Sequence, residues 1–316
     1  MRYIIYGAGA IGGSMGARLH QAGHGVVLIS RGRHLEKLQK DGLTFLTPDE
    51  TVTLSITSVG HPSGIQFRDD DIVLLTVKSQ DTAAALDDLR ATAGDIPVIC
   101  AQNGVANERM ALRQFSRVYG MLVFLPGTLV EPGQVLMHAS SIGGLLDAGC
   151  YPHGVDSLIE QITSDLTESG FIARPEPQIM RFKYGKLLLN LANTVQALFG
   201  PEAKAGDIVR TVRDEAIACY EAAGIEFAQP TEIGQRGADI THGEIEGHPH
   251  RGGSTWQSLA RGSRSIETDY LNGEIALLGS LHGVPTPYNR ALQLAASQAV
   301  SEGKAPGSLR VEDLPL

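Results

Sequence analysis

The chain holds only three cysteines in 316 residues, Cys100, Cys150 and Cys219, an odd number set far apart. A disulfide framework draws on paired, grouped cysteines, so this pattern fits reduced thiols in a reducing compartment, and all three read as packing residues. No apolar run approaches the roughly 20 residues that a membrane-spanning helix needs, so no transmembrane segment is expected. The first residues open directly on a short apolar strand, which does not read as a secretory signal, and a cytoplasmic location is expected. Basic charge is also in deficit: 26 Lys and Arg stand against 35 Asp and Glu, a formal net charge of −9. With the basic residues scattered, the chain offers no extended positive surface for nucleic acid.

What the chain does have is glycine in an informative place. Tyr3-Ile4-Ile5-Tyr6 reads as a short strand, and Gly7-Ala8-Gly9-Ala10-Ile11-Gly12 follows it at once. A helix is predicted from Ile11 to Ala22, ended by Gly23, and a second strand over Gly25-Val26-Val27-Leu28-Ile29. In this setting Gly7 permits a tight turn, Gly9 lets backbone approach a pyrophosphate, and Gly12 lets the helix pack closely on the strand. The unpaired N–H groups at the helix start then face phosphate. Gly7, Ala8, Gly9, Ala10, Ile11 and Gly12 are therefore candidate cofactor-binding residues.

The residue that closes the second strand selects the cofactor. Sites for NAD carry Asp or Glu there to accept from the ribose 2′-OH, whereas this chain reads Ser30-Arg31-Gly32-Arg33. A carboxylate would repel a 2′-phosphate. A guanidinium pairs with it through two parallel charge-assisted hydrogen bonds, and Ser30 adds a hydroxyl. Ser30 and Arg31 are thus expected to bind NADP(H), against the alternative that Arg31 and Arg33 are solvated loop charges.

At 316 residues the chain exceeds what one hydrophobic core usually organises, so two domains are expected. Strands and helices alternate to about residue 174. Asp71-Ile72-Val73-Leu74-Leu75-Thr76-Val77 and Pro97-Val98-Ile99-Cys100-Ala101 are nearly continuous apolar runs, as strands buried on both faces should be. Tyr119 to Leu125 and Gly133 to Ala139 add extended stretches between Pro-Gly turns. After Arg174-Pro175-Glu176-Pro177 the character changes. Gln178 to Leu198, Asp207 to Ala223, Ser263 to Leu281 and Asn289 to Ser301 all carry helical spacing. The expected architecture is an α/β Rossmann-type dinucleotide-binding domain over residues 1–177, followed by an all-helical domain over 178–316.

Ligands of an open parallel sheet sit at the carboxyl ends of its strands. Lys78 follows one such strand and Asn103-Gly104 another, so both are candidates for the cofactor cleft, with an exposed lysine and a turn-forming Asn-Gly as the plain alternatives. In the second domain Lys186 and Asn190 stand four apart, sharing one face of a helix otherwise rich in leucine and alanine. They form a candidate acid and substrate clamp, whereas nearby Lys183 is expected to be solvated. Ser254-Thr255 opens a segment that runs to Glu267-Thr268-Asp269-Tyr270-Leu271-Asn272-Gly273, where Glu267 and Asp269 have surface charge as their alternative reading.

These pieces, in this order, resemble the ketopantoate reductase family of NADPH-dependent 2-dehydropantoate 2-reductases. The matches are the Gly-Ala-Gly-Ala-Ile-Gly turn, the strand leading to Val-Lys78, the Gln-Asn103-Gly-Val turn, Lys186-x-x-x-Asn190, and Glu267-Thr-Asp-Tyr-Leu-Asn-Gly with Thr-Pro-Tyr-Asn289 after it. They cover nearly the whole chain. The resemblance implies an active site in a cleft between the two domains and a small 2-oxo acid as substrate, and it leaves a homodimer open. It makes Lys186 the general acid and Glu267 a catalytic residue that also fixes cofactor. Asn103 and Asn190 would hold substrate or nicotinamide groups, Lys78 would lie near the cofactor, and Ser254 and Thr255 would bind substrate.

Three departures from the family pattern bear on the substrate. Thr194 stands where a second asparagine is common, with Asn193 one position early; Gly252-Gly253 replace an asparagine; and Trp256, the only tryptophan, takes a methionine place. Retained hydride chemistry beside an altered rim allows a paralogue acting on another 2-oxo acid. Two further alternatives are a hydroxyacid or polyol dehydrogenase related to 6-phosphogluconate dehydrogenase, and a non-enzymatic NADP-sensing protein. His242, His248 and His250 cluster in sequence, but no cysteine or ordered carboxylate spacing completes a metal set. No metal is expected, and the segment is read as leading into Ser254 at the substrate entrance.

Overall fold

The structure is a computed structural model that describes residues 1–200, 205–249, 252–263 and 265–314. Along the chain the elements are β1 (Arg2–Tyr6), α1 (Ala10–Gln21), β2 (Gly25–Ile29), α2 (Gly32–Asp41), β3 (Leu43–Leu46), β4 (Thr51–Leu54), β5 (Thr57–Val59), β6 (Asp71–Leu75), α3 (Thr82–Ala93), β7 (Val98–Cys100), α4 (Asn107–Leu112) and β8 (Val118–Met121). They continue with β9 (Gly127–Glu131), β10 (Gln134–Met137), β11 (Ala139–Ser140), β12 (Ala148–Cys150), α5 (Ser157–Glu168), α6 (Ile179–Phe199), α7 (Gly206–Ala223), α8 (Pro230–Arg236), β13 (Thr241–His242), α9 (Ser254–Ala260), α10 (Asn272–His282) and α11 (Pro287–Ser301). Short 3-10 turns include Ser79–Asp81 and Glu267–Tyr270.

The chain divides into two compact units. One comprises Met1–Gln102, Asn107–Met180 and Gly234–His250; the other comprises Asn103–Ala106, Arg181–Ile233 and Arg251–Leu316. The first unit is α/β. Its seven-stranded sheet has the order β12-β8-β7-β6-β1-β2-β5, parallel throughout except for antiparallel β12. The central strands are apolar because both faces are covered: Tyr3, Ile4, Ile5, Val73, Leu74 and Leu75 are fully buried. A four-stranded sheet, β4-β3-β10-β9, packs on α1, and a short β11-β13 pair brings Thr241–His242 against Ala139–Ser140.

The reversal of strand order beside β1 is the topological switch point of a doubly wound sheet, where ligands bind beyond the strands' carboxyl ends. Chain order places the glycine-rich turn after β1, Arg31 after β2, Lys78 after β6 and Asn103 after β7. The fold thereby brings the first three of these, far apart along the chain, to the carboxyl ends of strands of one sheet.

The second unit is helical. A buried polar chain runs through it: Thr194 on α6 donates to Asn272 Oδ1 at 2.7 Å, and Asn272 Nδ2 donates to Asn289 Oδ1 at 3.0 Å. Glu215 on α7 accepts from the backbone N–H groups of Tyr288 and Asn289 and from Asn289 Nδ2. A carboxylate there meets the orphan donors and positive dipole end of α11, so the charge is stabilised although Glu215 is buried. Cys100 and Cys219 are buried and Cys150 partly so, in keeping with packing roles. Among the described residues no helix is long and apolar enough to cross a membrane.

Candidate active site

The turn after β1 is built by contacts that explain each glycine differently. Gly7 has φ +112°, a left-handed backbone, and a Cβ there would lie 2.7 Å from the Val77 nitrogen. A Cβ at Gly12 would collide with the Gly7 carbonyl oxygen and the Thr76 hydroxyl. Gly9 has neither reason: its φ is −76° and a Cβ would meet nothing within 4 Å. What its missing side chain leaves room for is approach from outside the protein. The 12-residue α1 starts at this open point with no side-chain cap and no acid in its first turn. Uncapped N–H groups beside an unobstructed α-carbon suit a pyrophosphate, so the residues present fit a dinucleotide.

Thr76 fixes this turn from below, its hydroxyl donating to the Tyr6 and Gly7 carbonyls at 3.1 and 2.9 Å. His34 on α2 fixes it from the side: its ring Nε2 is 2.7 Å from the Ala8 carbonyl and its Nδ1 accepts the Gly133 N–H at 2.8 Å. Neither residue carries a local sequence signal, and both escape a motif-based reading. Ser30 follows β2 directly and is buried, with its backbone N–H on the Val59 carbonyl. Arg31, next along, is mostly exposed, 3.9 Å from the half-exposed Asp81 carboxylate. So loose and exposed a pair contributes about 0–1 kcal/mol, leaving the guanidinium able to turn to a stronger anion.

Lys78 sits partly buried at the start of the Ser79–Asp81 turn. Buried Gln102 holds that turn, donating to the Val77 carbonyl at 3.0 Å and to the Thr82 hydroxyl at 2.7 Å, while Asn107 donates to Ser79 Oγ at 3.2 Å. Asn103 follows Gln102 directly but groups with the helical unit. Gly104, at φ +80°, approaches the Tyr270 carbonyl so closely that a Cβ would lie 3.0 Å from it. The Asn103 turn and the Glu267–Tyr270 turn are thus brought together, and Glu267 is buried, not a surface charge. Asp269, by contrast, accepts from Gln293 at the surface.

Helix α6 carries Lys186 and Asn190 one turn apart. Burial lowers the Lys186 ammonium to about 7, and the positive charge of Lys183 adds to the effect. Asn190 is buried, and its amide nitrogen has no acceptor among the described residues. A buried donor left unsatisfied costs about 1–3 kcal/mol, which a bound oxygen would recover. Lys183 corrects the expectation from sequence: it is 3% exposed, not solvated, because α6 is covered on most of its faces.

The segment around Ser254 is anchored to α6, since Gln196 accepts the Gly253 N–H at 2.8 Å and Asn193 Oδ1 would lie 3.0 Å from a Cβ at Gly253. Ser254 opens α9 and is partly exposed, while Thr255 is buried. The three departures from the family pattern separate here. Thr194 is fully buried with its hydroxyl committed to Asn272, so it belongs to the interior and not to a substrate rim. Gly252 and Trp256 form one unit: Gly252 has φ +61°, and a Cβ on it would stand 2.6 Å from the indole Cγ. The Trp256 side chain, indole and Cβ together, occupies the space a side chain at 252 would need.

His242 is exposed in β13 and His248 partly buried, in the segment that groups with the α/β unit; His250 lies outside the described residues.

Sequence-family models match most of the chain: "Ketopantoate reductase PanE/ApbA" over residues 3–152, and the corresponding "C terminal" model over 178–299. A 2-dehydropantoate 2-reductase of Pyrococcus horikoshii is 28% identical over 297 residues, 92% of this chain and 94% of that one. A PanE/ApbA family ketopantoate reductase from Ralstonia eutropha JMP134 superposes with a TM-score of 0.79 at 27% identity, covering 96% of this chain and 99% of its own. The same fold recurs in D-mandelate dehydrogenase solved with NADH and anilino(oxo)acetate, with a TM-score of 0.82, 24% identity, and coverage of 96% and 99%.

Proposed function

The chain belongs to the ketopantoate reductase family, and from that premise we propose that it reduces 2-dehydropantoate to pantoate with NADPH, using Lys186 as the general acid. Membership makes it an NADP-dependent oxidoreductase acting on a CH–OH group. The observation that carries the finer reading is the pairing on α6: an ammonium lowered to about 7, one turn from a buried asparagine amide with no acceptor among the described residues.

The nicotinamide, when bound, supplies the hydride. The Gly7–Gly12 turn would hold its pyrophosphate, Arg31 and Ser30 its 2′-phosphate, and Lys78, Asn103 and Glu267 would bound its nicotinamide end. As the ketone carbon becomes tetrahedral, negative charge grows on its oxygen. Lys186 stabilises that charge and passes a proton to it, leaving a neutral amine that solvent reprotonates. A lysine near 7 suits this work, because the proton is available at neutral pH and is also readily given up. Asn190, Ser254 and Thr255 supply fixed donors for the substrate's carboxylate and hydroxyl.

A second reading, reduction of a different 2-oxo acid, is favoured by the Gly252–Trp256 pair. It replaces an amide-bearing side chain with an indole and so removes a polar partner worth about 1–3 kcal/mol if the substrate hydroxyl used it. Comparing kcat/KM for 2-dehydropantoate with that for the same oxo acid lacking its hydroxyl separates the two. Preference for the hydroxylated acid supports the first reading. Preference for the other supports the second, and no turnover of 2-dehydropantoate overturns the first.

A further inference from the structure

We propose that His34 is a positioning residue for the cofactor's pyrophosphate, setting the glycine-rich turn by holding the Ala8 carbonyl and the Gly133 amide at once. The proposal rests on reading that turn as a dinucleotide site.

The geometry determines what the ring must be. Gly133 N–H can only donate, so His34 Nδ1, 2.8 Å away, is an acceptor; the Ala8 carbonyl can only accept, so Nε2, at 2.7 Å, carries the proton. Burial lowers the pKa of the imidazole, which favours this neutral form. The Ala8–Gly9 peptide is planar, and it is held at both ends: its oxygen by His34, its N–H by the Gly7 carbonyl at 2.7 Å. That plane abuts the α-carbon of Gly9, the point of the turn where a Cβ would meet nothing. On its other side His34 grips Gly133 in the turn between β9 and β10, whose carbonyl in turn accepts Thr44 N–H at 2.8 Å. One ring therefore ties the phosphate-facing turn to the second sheet. Arg31, three residues earlier, reads the 2′-phosphate alone, whereas His34 acts on the part common to both nicotinamide dinucleotides.

Calorimetric titration of NADPH and of NADH, with steady-state kinetics, tests this on the wild type, His34→Leu and His34→Gln. The leucine variant, lacking both bonds, is expected to raise Kd and KM about tenfold for both cofactors with a smaller loss in kcat. Glutamine, which keeps a donor at the Nε2 position, is expected to recover most of the loss. A folded leucine variant that binds both cofactors like the wild type overturns the proposal, as does a loss confined to NADPH. Wild type that binds neither dinucleotide overturns the reading of the turn itself, and this inference with it. Should the leucine variant fail to fold, 15N shifts of the wild-type imidazole decide: a neutral Nε2–H ring supports the role, and an Nδ1–H or doubly protonated ring at pH 7 overturns it.

Discussion

Lys183 precedes Lys186 by three residues on α6, so two lysines share one helical face, and the positive charge of the buried first one helps to lower the pKa of the second. Desolvation is the larger cause and the like charge the smaller. Their order sets which substitution should move the acid, and by which route.

The acid must be protonated to work, so kcat/KM for ketone reduction should fall as pH rises through about 7, the value to which Lys186 is lowered. Lys183→Met removes the like charge and should carry that alkaline limb upward in pH. A limb that stays in place in this variant assigns it to another group.

Lys186 should also cost stability. Its pKa is lowered from 10.5 to about 7 on folding, so between those values the unfolded chain binds the proton and the folded chain does not. Stability therefore rises with pH across that window, and the full cost is present below about 7. Lys186→Met should raise Tm by several degrees at pH 7, with the gain shrinking toward pH 10.5. A Tm difference independent of pH contradicts this origin.

Arg31→Ala should weaken NADPH binding by about ten- to hundredfold, since a charge-assisted hydrogen bond contributes roughly 1.5–3 kcal/mol. NADH, which has no 2′-phosphate, should bind nearly as before. Equal losses for the two cofactors would remove Arg31 from cofactor selection, and they are the pattern expected of His34 instead.

Gly252 and Trp256 should behave as one site. Gly252→Asn alone places a Cβ 2.6 Å from the indole Cγ and should destabilise the fold, while Trp256→Met removes the rigid ring from that contact and relieves it in part, its Cβ 2.8 Å away being kept. The double variant should therefore be more stable, by thermal melting, than the sum of the single effects, with a coupling of about 0.5–3 kcal/mol. It should also shift preference toward the hydroxylated oxo acid. Additive effects would show that the two departures are unrelated.

What the sequence makes legible here is what lies close along the chain. Strand, turn, helix and second strand are specified within Arg2–Ile29, and α6 shows its Lys186–Asn190 spacing directly. Residues that act through tertiary contact are not so visible. Thr76 meets Gly7 across 69 positions, and His34 meets Gly133 across 99. Lys183 defeats the expectation that helical lysines are solvated, because a helix buried on most faces has no free surface to give it. Thr194 resembles a rim substitution only until its hydroxyl is seen on Asn272, 78 residues on. The return of Gly234–His250 to the α/β unit likewise follows from pairing of β13 with β11, a two-residue ladder too short to announce itself.

Turnover of 2-dehydropantoate with NADPH, compared between the wild type and Lys186→Ala, decides whether Lys186 is the proton donor. The expected result is measurable reduction by the wild type and a fall of about two to four orders of magnitude in kcat for the variant, the usual contribution of a positioned proton donor, with NADPH binding kept. Near-normal turnover in the variant would contradict it.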